Sequence, residues 1–310
     1  SVTEIDSYAF SGCTSLTSVT IPDSVTSVSF SNCTSLTDIN IPDSVTSIYF
    51  SGCTSLTNVT IPKSVTEIGY GAFYGCTNLT NVTIPESVTE IGDDAFWGCT
   101  NLENITIPSS VTSIGSNAFS GTKWLSNKLA EDMFVMVNNI LINVDSSCEG
   151  KITIPDSVTS IGASAFEDCT SLTSVVIPDS VTSIDYNAFY NCTSLTDITI
   201  PNSVKSMGYN VFYGCTNLAD VTLSNSLTSI DFTGCTGLTN ITIPKSVTSI
   251  FFSGCTSLKE VNIPNSVTSM CFSGCTSLTE IVIPKSVTEI DSYAFSGCTS
   301  LTSVTIPDSV

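Results

Sequence analysis

The sequence predicts a solenoid, a chain wound into stacked, near-identical coils joined by short parallel β-strands. Three observations predict it. The stretch "FSGCTSLTSVTIPDSV", first met at Phe10 to Val25, returns with small changes along all 310 residues. The phenylalanine ahead of each cysteine recurs at Phe10, Phe30, Phe50, Phe73, Phe96, Phe119, Phe166, Phe189, Phe212, Phe232, Phe252, Phe272 and Phe295, at spacings of 20 or 23 apart from one gap of 47. All twelve prolines directly follow an isoleucine. Self-similarity at such a period marks a quasi-one-dimensional array rather than several packed domains.

One rung shows the local logic. In "CTSLTSVTIPDSVTSV", Leu16, Val19 and Ile21 are apolar while Ser18 and Thr20 alternate with them. Period-two alternation with β-branched residues reads as a short strand with one face inward. Pro22 ends that strand because it has no N–H to continue a ladder. Val25 and Val28 then mark a second, shorter extended piece. The 23-residue rungs carry an additional "GYGAF" or "GDDAF", which reads as a turn or short helical turn before the phenylalanine. The 20-residue rungs drop three residues there. A rung alone is unstable: about seven inward side chains at ~1.5–3 kcal/mol each fall short of ~1–2 kcal/mol for every ordered residue. Stacking about thirteen rungs completes each ladder and seals the core.

The gap between Phe119 and Phe166 holds an insertion at 121–153, with a short helix and then a hairpin "VMVNNILINV" turning at Asn138–Asn139. Both ends of the chain fall inside a repeat, which reads as a fragment of a longer array. Residues 1–25 and 286–310 are identical letter for letter, implying a longer period of 285 residues.

Composition closes many routes to function. The net charge is -20 and all eight basic residues are lysine, the reverse of the clustered Lys and Arg that nucleic acid requires. Anionic lipid is disfavoured for the same reason, and no apolar run is long enough to span a membrane. There is no histidine, hence no imidazole base, no Ser-His-Asp or Cys-His arrangement and no imidazole metal ligand. No carboxylate pair stands out from the periodic background, so the chain reads as non-enzymatic, without cofactor.

Twelve of the fourteen cysteines share one rung position: Cys13, Cys33, Cys53, Cys76, Cys99, Cys169, Cys192, Cys215, Cys235, Cys255, Cys275 and Cys298. Each lies three residues after an inward phenylalanine and three before an inward leucine, so they read as a core ladder of free thiols acting as small hydrophobes. Parallel Cβ vectors make disulfides awkward, and the paired C-x-x-C spacing of zinc sites is missing. Cys271 should point outward beside Phe272, and Cys148 should sit exposed in the insertion.

Aromatic residues give the sharpest surface signal. Tyr70 and Tyr74, Tyr186 and Tyr190, and Tyr209 and Tyr213 are i,i+4 pairs in the 23-residue turns, and Trp97 matches Tyr74. Helical spacing would place each pair on one face, and stacking of rungs would join Tyr74 to Trp97 and Tyr190 to Tyr213. Exposed aromatics of this kind are candidate ligand-binding groups, including platforms for sugar rings. The bland alternative is that they cover the turn edges. A column of outward threonines, Thr60, Thr83 and Thr106 beside Asn58, Asn81 and Asn104, is read as β-propensity and solubility. The acidic surplus is spread one residue per rung, and Asp93–Asp94 is too small for a calcium cage.

The rung "IPDSVTSIxxxAFxxCTSLTxVT" resembles the BspA-like class of leucine-rich repeat, and the insertion "GTKWLSNKLAEDMFVMVNNILINVDSSCEGKITI" resembles one seen in bacterial members. The resemblance covers essentially the whole chain. Thr122 in place of a ladder cysteine, Leu223–Ser224 in place of Ile-Pro, and the shortened rungs depart from the pattern. It implies a leucine-rich-repeat solenoid, displayed at the cell surface or secreted, that binds an extracellular protein or glycan as an adhesin does. The alternative is a structural stalk or fibre segment that associates end to end through tandem 285-residue super-repeats.

Overall fold

The computed structural model describes residues 2–310. Strands of two to six residues recur once or twice in each rung and pair in parallel with the equivalent strand of the next. The chain divides into two units, Ser1–Asn138 and Asn139–Val310, described separately below.

In the first unit, Asn58–Thr60, Asn81–Thr83 and Asn104–Thr106 form one parallel sheet in strict register, Asn over Asn and Thr over Thr. A second sheet joins Glu67–Ile68, Glu90–Ile91 and Ser113–Ile114. The second unit repeats the plan, with Glu149–Thr153, Ser171–Val176, Asp197–Thr199 and Asp220–Thr222 on one side. Its other side carries Ser160–Ile161, Ser183–Ile184 and Ser206–Met207. The parallel-strand, leucine-rich-repeat type of solenoid expected from the sequence is the fold found.

Rung length decides which sheet is longer. In 20-residue rungs the second strand has three residues, as in Ser229–Asp231, Ser249–Phe251 and Ser269–Cys271. The first strand there shrinks to isolated bridges such as Thr20↔Asn40 and Thr242↔Asn262. In 23-residue rungs the second strand stops after two residues and a run of turns follows.

Those turns are not the helical turns expected. Each 23-residue rung has two left-handed residues, two before and two after its phenylalanine: Gly71 and Gly75, Asp94 and Gly98, Asn187 and Asn191. An α-helix admits no positive φ. The amides instead alternate in direction. Gly71, Phe73 and Gly75 donate to Asp93, Ala95 and Trp97 of the next rung, while Ala72, Tyr74 and Cys76 donate back to Gly69, Gly71 and Phe73. Every second peptide therefore ties one rung to the next.

At the change from 23 to 20 residues the next rung lacks the carbonyl that would receive this first amide. Asn187 donates to Tyr209 O at 3.1 Å, but Asn210 meets the carboxylate of Asp231 instead, at 2.9 Å. The other oxygen of Asp231 accepts the N–H of Thr233, also at 2.9 Å, and the side chain is buried. One carboxylate thus replaces a missing turn.

The core is a column of rings. In the first unit, Phe10 to Phe119 stack with neighbouring centroids 5.2–6.1 Å apart. In the second, Phe166 to Phe295 stack at 4.7–6.0 Å. Each such contact contributes about 0.5–1.5 kcal/mol beyond area burial.

Thr122, where a ladder cysteine is missing, opens helix α1 (Lys123–Glu131). Its hydroxyl donates to Phe119 O at 2.7 Å and accepts the N–H of Leu125 at 3.1 Å as the N-cap. Trp124 then tilts against Phe119, centroids 4.9 Å apart, at the end of the ring column. After α1 come strands Phe134–Val137 and Ile140–Val144, separated by the left-handed pair Asn138 and Asn139. Leu223–Ser224 is accommodated too: Ser224 is fully buried and its hydroxyl donates to Val204 O at 2.9 Å.

Candidate functional site

The turn side carries the aromatic residues. Tyr74 and Trp97 lie ring on ring across adjacent rungs, centroids 4.6 Å apart and 13° from parallel. Tyr190 and Tyr213 do the same at 5.2 Å and 9°. Tyr70 and Tyr209 are largely exposed, at 68% and 71%, while Tyr186 is half-buried. The i,i+4 pairs do not share a helix face. A left-handed residue stands inside each pair (Gly71, Asn187 and Asn210), so the turn reverses direction between the two rings.

Stacking also changes what the rings offer. Each stacked ring gives one face to its partner. Tyr213 additionally lies over Gly234, where a Cβ would come within 3.3 Å of its ring atoms. What Tyr213 presents outward is an edge and a hydroxyl. Tyr74 and Trp97 are flanked at the equivalent position of the outer rungs by Ser51 and Ser120.

The strand side of the first unit forms an open groove of about 1060 Å³. Its polar wall is the array Asn58, Asn81, Thr60, Thr83 and Thr106, and Pro62, Pro85 and Pro108 give it an apolar base. The Asn104 amide donates to Asn81 Oδ1 at 3.0 Å, while the amides of Asn81 and Asn58 donate to the neighbouring Thr80 and Thr57 hydroxyls at 2.9 and 3.3 Å. Asp43, Lys63 and Glu86 set mixed charge along it. Concave, largely apolar surfaces with a few placed polar groups are where ligands bind. The sequence reading gave these threonines to β-propensity and solubility; the proline two residues after each of them supplies the apolar part of the groove's lining. In the second unit a smaller groove of about 500 Å³ is lined by Asn240, Asn262, Glu260, Glu280 and Val282.

The thiols face inward. Ten of them donate to the carbonyl of the phenylalanine in the preceding rung at 2.9–3.2 Å, as Cys53 does to Phe30 and Cys215 to Phe189. Burial pushes the Cys53 and Cys275 thiols up to about 12. Such groups stay protonated and unreactive at neutral pH. Two members depart from the expected core ladder: Cys13 is exposed and Cys298 half-buried, each having a stacked rung on one side only. Cys148 corrects the sequence reading in the opposite sense: it is buried, 5% exposed. Cys271 lies on the outward side of its strand, between buried Met270 and Phe272, and is half-buried with its sulfur 3.2 Å from Ser253 Oγ.

The acidic pair Asp93–Asp94 serves the turn. Asp93 Oδ1 accepts the N–H of Ser116 at 2.8 Å. Burial, with the Asp93 charge beside it, holds the Asp94 carboxyl above the usual range. Among the described residues no three His, Cys, Asp or Glu side chains gather as a metal site would require. No helix among them is long and apolar enough to cross a membrane.

Known proteins place these features in context. The chain resembles a leucine rich cell surface protein from Faecalibacterium prausnitzii A2-165, with 32% identity over 98% of this chain and 83% of that one, at a TM-score of 0.42. A leucine-rich repeat protein from Eubacterium ventriosum ATCC 27560 shares the fold at a TM-score of 0.51, with 25% identity over 99% of this chain and 81% of that one. Another from Bacteroides ovatus ATCC 8483 is 30% identical over 99% and 88%, at a TM-score of 0.42. No curated protein matches the chain. The profile of the family described as "BspA type Leucine rich repeat region" matches residues 1–50, 27–143, 145–250 and 231–310. With its ring column, thiol ladder and parallel strands repeated throughout that span, the chain belongs to the BspA-type leucine-rich repeat family.

Proposed function

We propose that the chain is a non-enzymatic binding module of adhesin type, displayed at a cell surface or secreted, that holds an extracellular protein or glycan. The observation that carries this reading is the groove over Asn58–Thr60 and Asn81–Thr83, where amide and hydroxyl groups repeat at rung spacing over an apolar base. A repeating polar array of this kind suits a ligand with many hydrogen-bonding groups, and the fold itself would not name one. The aromatics Tyr70, Tyr74 and Trp97 of the first unit, and Tyr186, Tyr190, Tyr209 and Tyr213 of the second, are further candidate contacts, each set within its own unit.

The test is binding of the 310-residue chain to immobilised cell-surface glycoproteins, with and without enzymatic removal of their glycans. Asn81→Ala with Thr83→Ala should weaken capture at least tenfold, and Tyr190→Ala with Tyr213→Ala should weaken it less. Unchanged capture by the groove variant would remove the groove from the reading. Loss of binding on deglycosylation assigns the ligand to glycan rather than protein.

A stalk role is the second reading, favoured by the identity of residues 1–25 with 286–310. Continuous filaments of the native assembly under electron microscopy would support it; separate particles that retain ligand binding would not.

A further inference from the structure

The join that Asp231 makes has a counterpart in the first unit that is built differently. Among the phenylalanine rungs a long turn is followed by a short one twice, ahead of Phe212 and Phe232 and ahead of Phe10 and Phe30. The two joins share their geometry. Phe212 and Phe232 stack with centroids 5.4 Å apart, as do Phe10 and Phe30. Cys235 donates to Phe212 O at 3.2 Å, and Cys33 donates to Phe10 O at 3.2 Å. Tyr8 is left-handed with φ 74°, where Asn210 has φ 54°.

Position by position, Tyr8, Ser29 and Ser31 correspond to Asn210, Asp231 and Thr233. In the second unit the two oxygens of Asp231 take the N–H groups of Asn210 and Thr233, each at 2.9 Å. Ser29 has one oxygen, a bond closer to the backbone, and it reaches neither amide. Its hydroxyl is buried without a hydrogen-bond partner, in a residue only 5% exposed. Among the described residues the N–H groups of Tyr8 and Ser31 also meet no acceptor. Three donors therefore border the place that a carboxylate fills at the other join. Buried donors left unbonded are costly, and an ionised oxygen bonds an N–H about twice as strongly as a neutral one. Asp6, the nearest carboxylate along the chain, accepts the N–H of Ser7 at 2.8 Å within its own turn. Ser7 and Tyr8 are exposed, so solvent reaches the turn.

We propose that the join between the rungs of Phe10 and Phe30 is a binding site for a small free monocarboxylate, of formate or acetate size. One oxygen of the ligand takes the Tyr8 N–H and the other takes the Ser31 N–H, while Ser29 donates its hydroxyl. The ligand ties these two rungs as the Asp231 side chain ties those of Phe212 and Phe232. Two separate amides call for two oxygens on one planar group, so a carboxylate fits where a spherical halide does not. The size limit follows from the same comparison, since the equivalent surroundings enclose a single aspartate carboxylate, 8% exposed. No residue of the strand-side groove takes part, so the site stands or falls apart from the binding surface proposed above.

The experiment titrates the 310-residue chain with sodium formate, against sodium chloride at equal ionic strength, and follows the amide resonances of Tyr8 and Ser31. Both should shift saturably with formate, as mass action at one site requires, and the urea midpoint should rise over the same concentrations. Ser29→Asp should raise the midpoint without formate and abolish both shifts. Asp231→Ser should lower the midpoint and give the Asn210 and Thr233 amides a formate response that they lack in the parent chain. Shifts equal in formate and chloride would leave water as the partner of these donors and overturn the proposal. Formate shifts that persist unchanged in Ser29→Asp, or an Asp231→Ser join that ignores formate, overturn it equally.

Discussion

The thiol of Cys76 donates to the carbonyl oxygen of Phe50, one rung earlier, at 3.1 Å, and the same oxygen takes the N–H of Cys53, also at 3.1 Å. One carbonyl thus holds a turn within its rung and a side chain from the next. Cys76→Ala would leave that oxygen its backbone donor, so the loss is the weak thiol bond plus a small cavity. Destabilisation of about 1–2 kcal/mol is expected from urea unfolding. Cys76→Ser should cost less, since it keeps a donor.

The thiols also set the alkaline limit. A group whose folded pKa is raised above its unfolded value contributes stability that is complete below the unfolded value and lost as pH climbs toward the folded one. For Cys53 that interval runs from the ordinary 9.0 to about 12. The thiol contribution to the unfolding free energy should be constant from neutral pH to 9.0 and then fall, at about 1.4 kcal/mol per pH unit for each thiol still protonated only in the folded state, read by urea unfolding at each pH. Thiolate absorbance from the buried ladder cysteines should rise with unfolding and not before it, read in a variant with Cys13, Cys271 and Cys298 replaced by serine.

Asp231 joins rungs of unequal length, and its removal leaves the N–H groups of Asn210 and Thr233 without their acceptor. Asp231→Ala should destabilise by about 2–3 kcal/mol. Asp231→Asn keeps one acceptor oxygen and should lose roughly half as much. Hydrogen exchange at Asn210 and Thr233 should quicken in both variants while distant rungs are unaffected.

Thr122→Val removes the cap of α1 without a large change of volume. A loss of about 1–2 kcal/mol is expected, with faster exchange of the Leu125 amide. Thr122→Ser should preserve both of the hydroxyl's hydrogen bonds.

Tyr293 occupies the left-handed turn position with φ 65°, where the equivalent residues Asn187 and Asn210 stand at 54°. A bulky side chain is strained there. Tyr293→Asn should raise stability by about 0.5–1 kcal/mol, read as a higher midpoint in urea.

Much of this was legible in the sequence because the repeat enforces it. The positions of Phe73, Cys76, Leu79 and Val82 follow from spacing alone, and the alignment of rungs that brings Tyr74 onto Trp97 follows from equal rung length. The turns were misread because i,i+4 spacing looks helical, while Gly71 and Asn187 carry the left-handed geometry that forbids a helix. Cys148 was misplaced because the insertion breaks the period. Only the folded chain shows that this cysteine is buried. The groove escaped notice since Thr60 and Pro62 each have an ordinary strand explanation, and their joint shape exists only once three rungs are stacked.

The alternating amides of the 23-residue turns bear on how such a chain changes length. Because every second peptide reaches into the following rung, a duplication or deletion of one whole rung restores each donor to an equivalent acceptor. A segment of intermediate size would leave amides facing carbonyls that are not there. Copy number can thus drift by recombination between repeats with no compensating substitution where both neighbours match. Where the long rung of Phe212 meets the short rung of Phe232, the single carboxylate of Asp231 supplies the join.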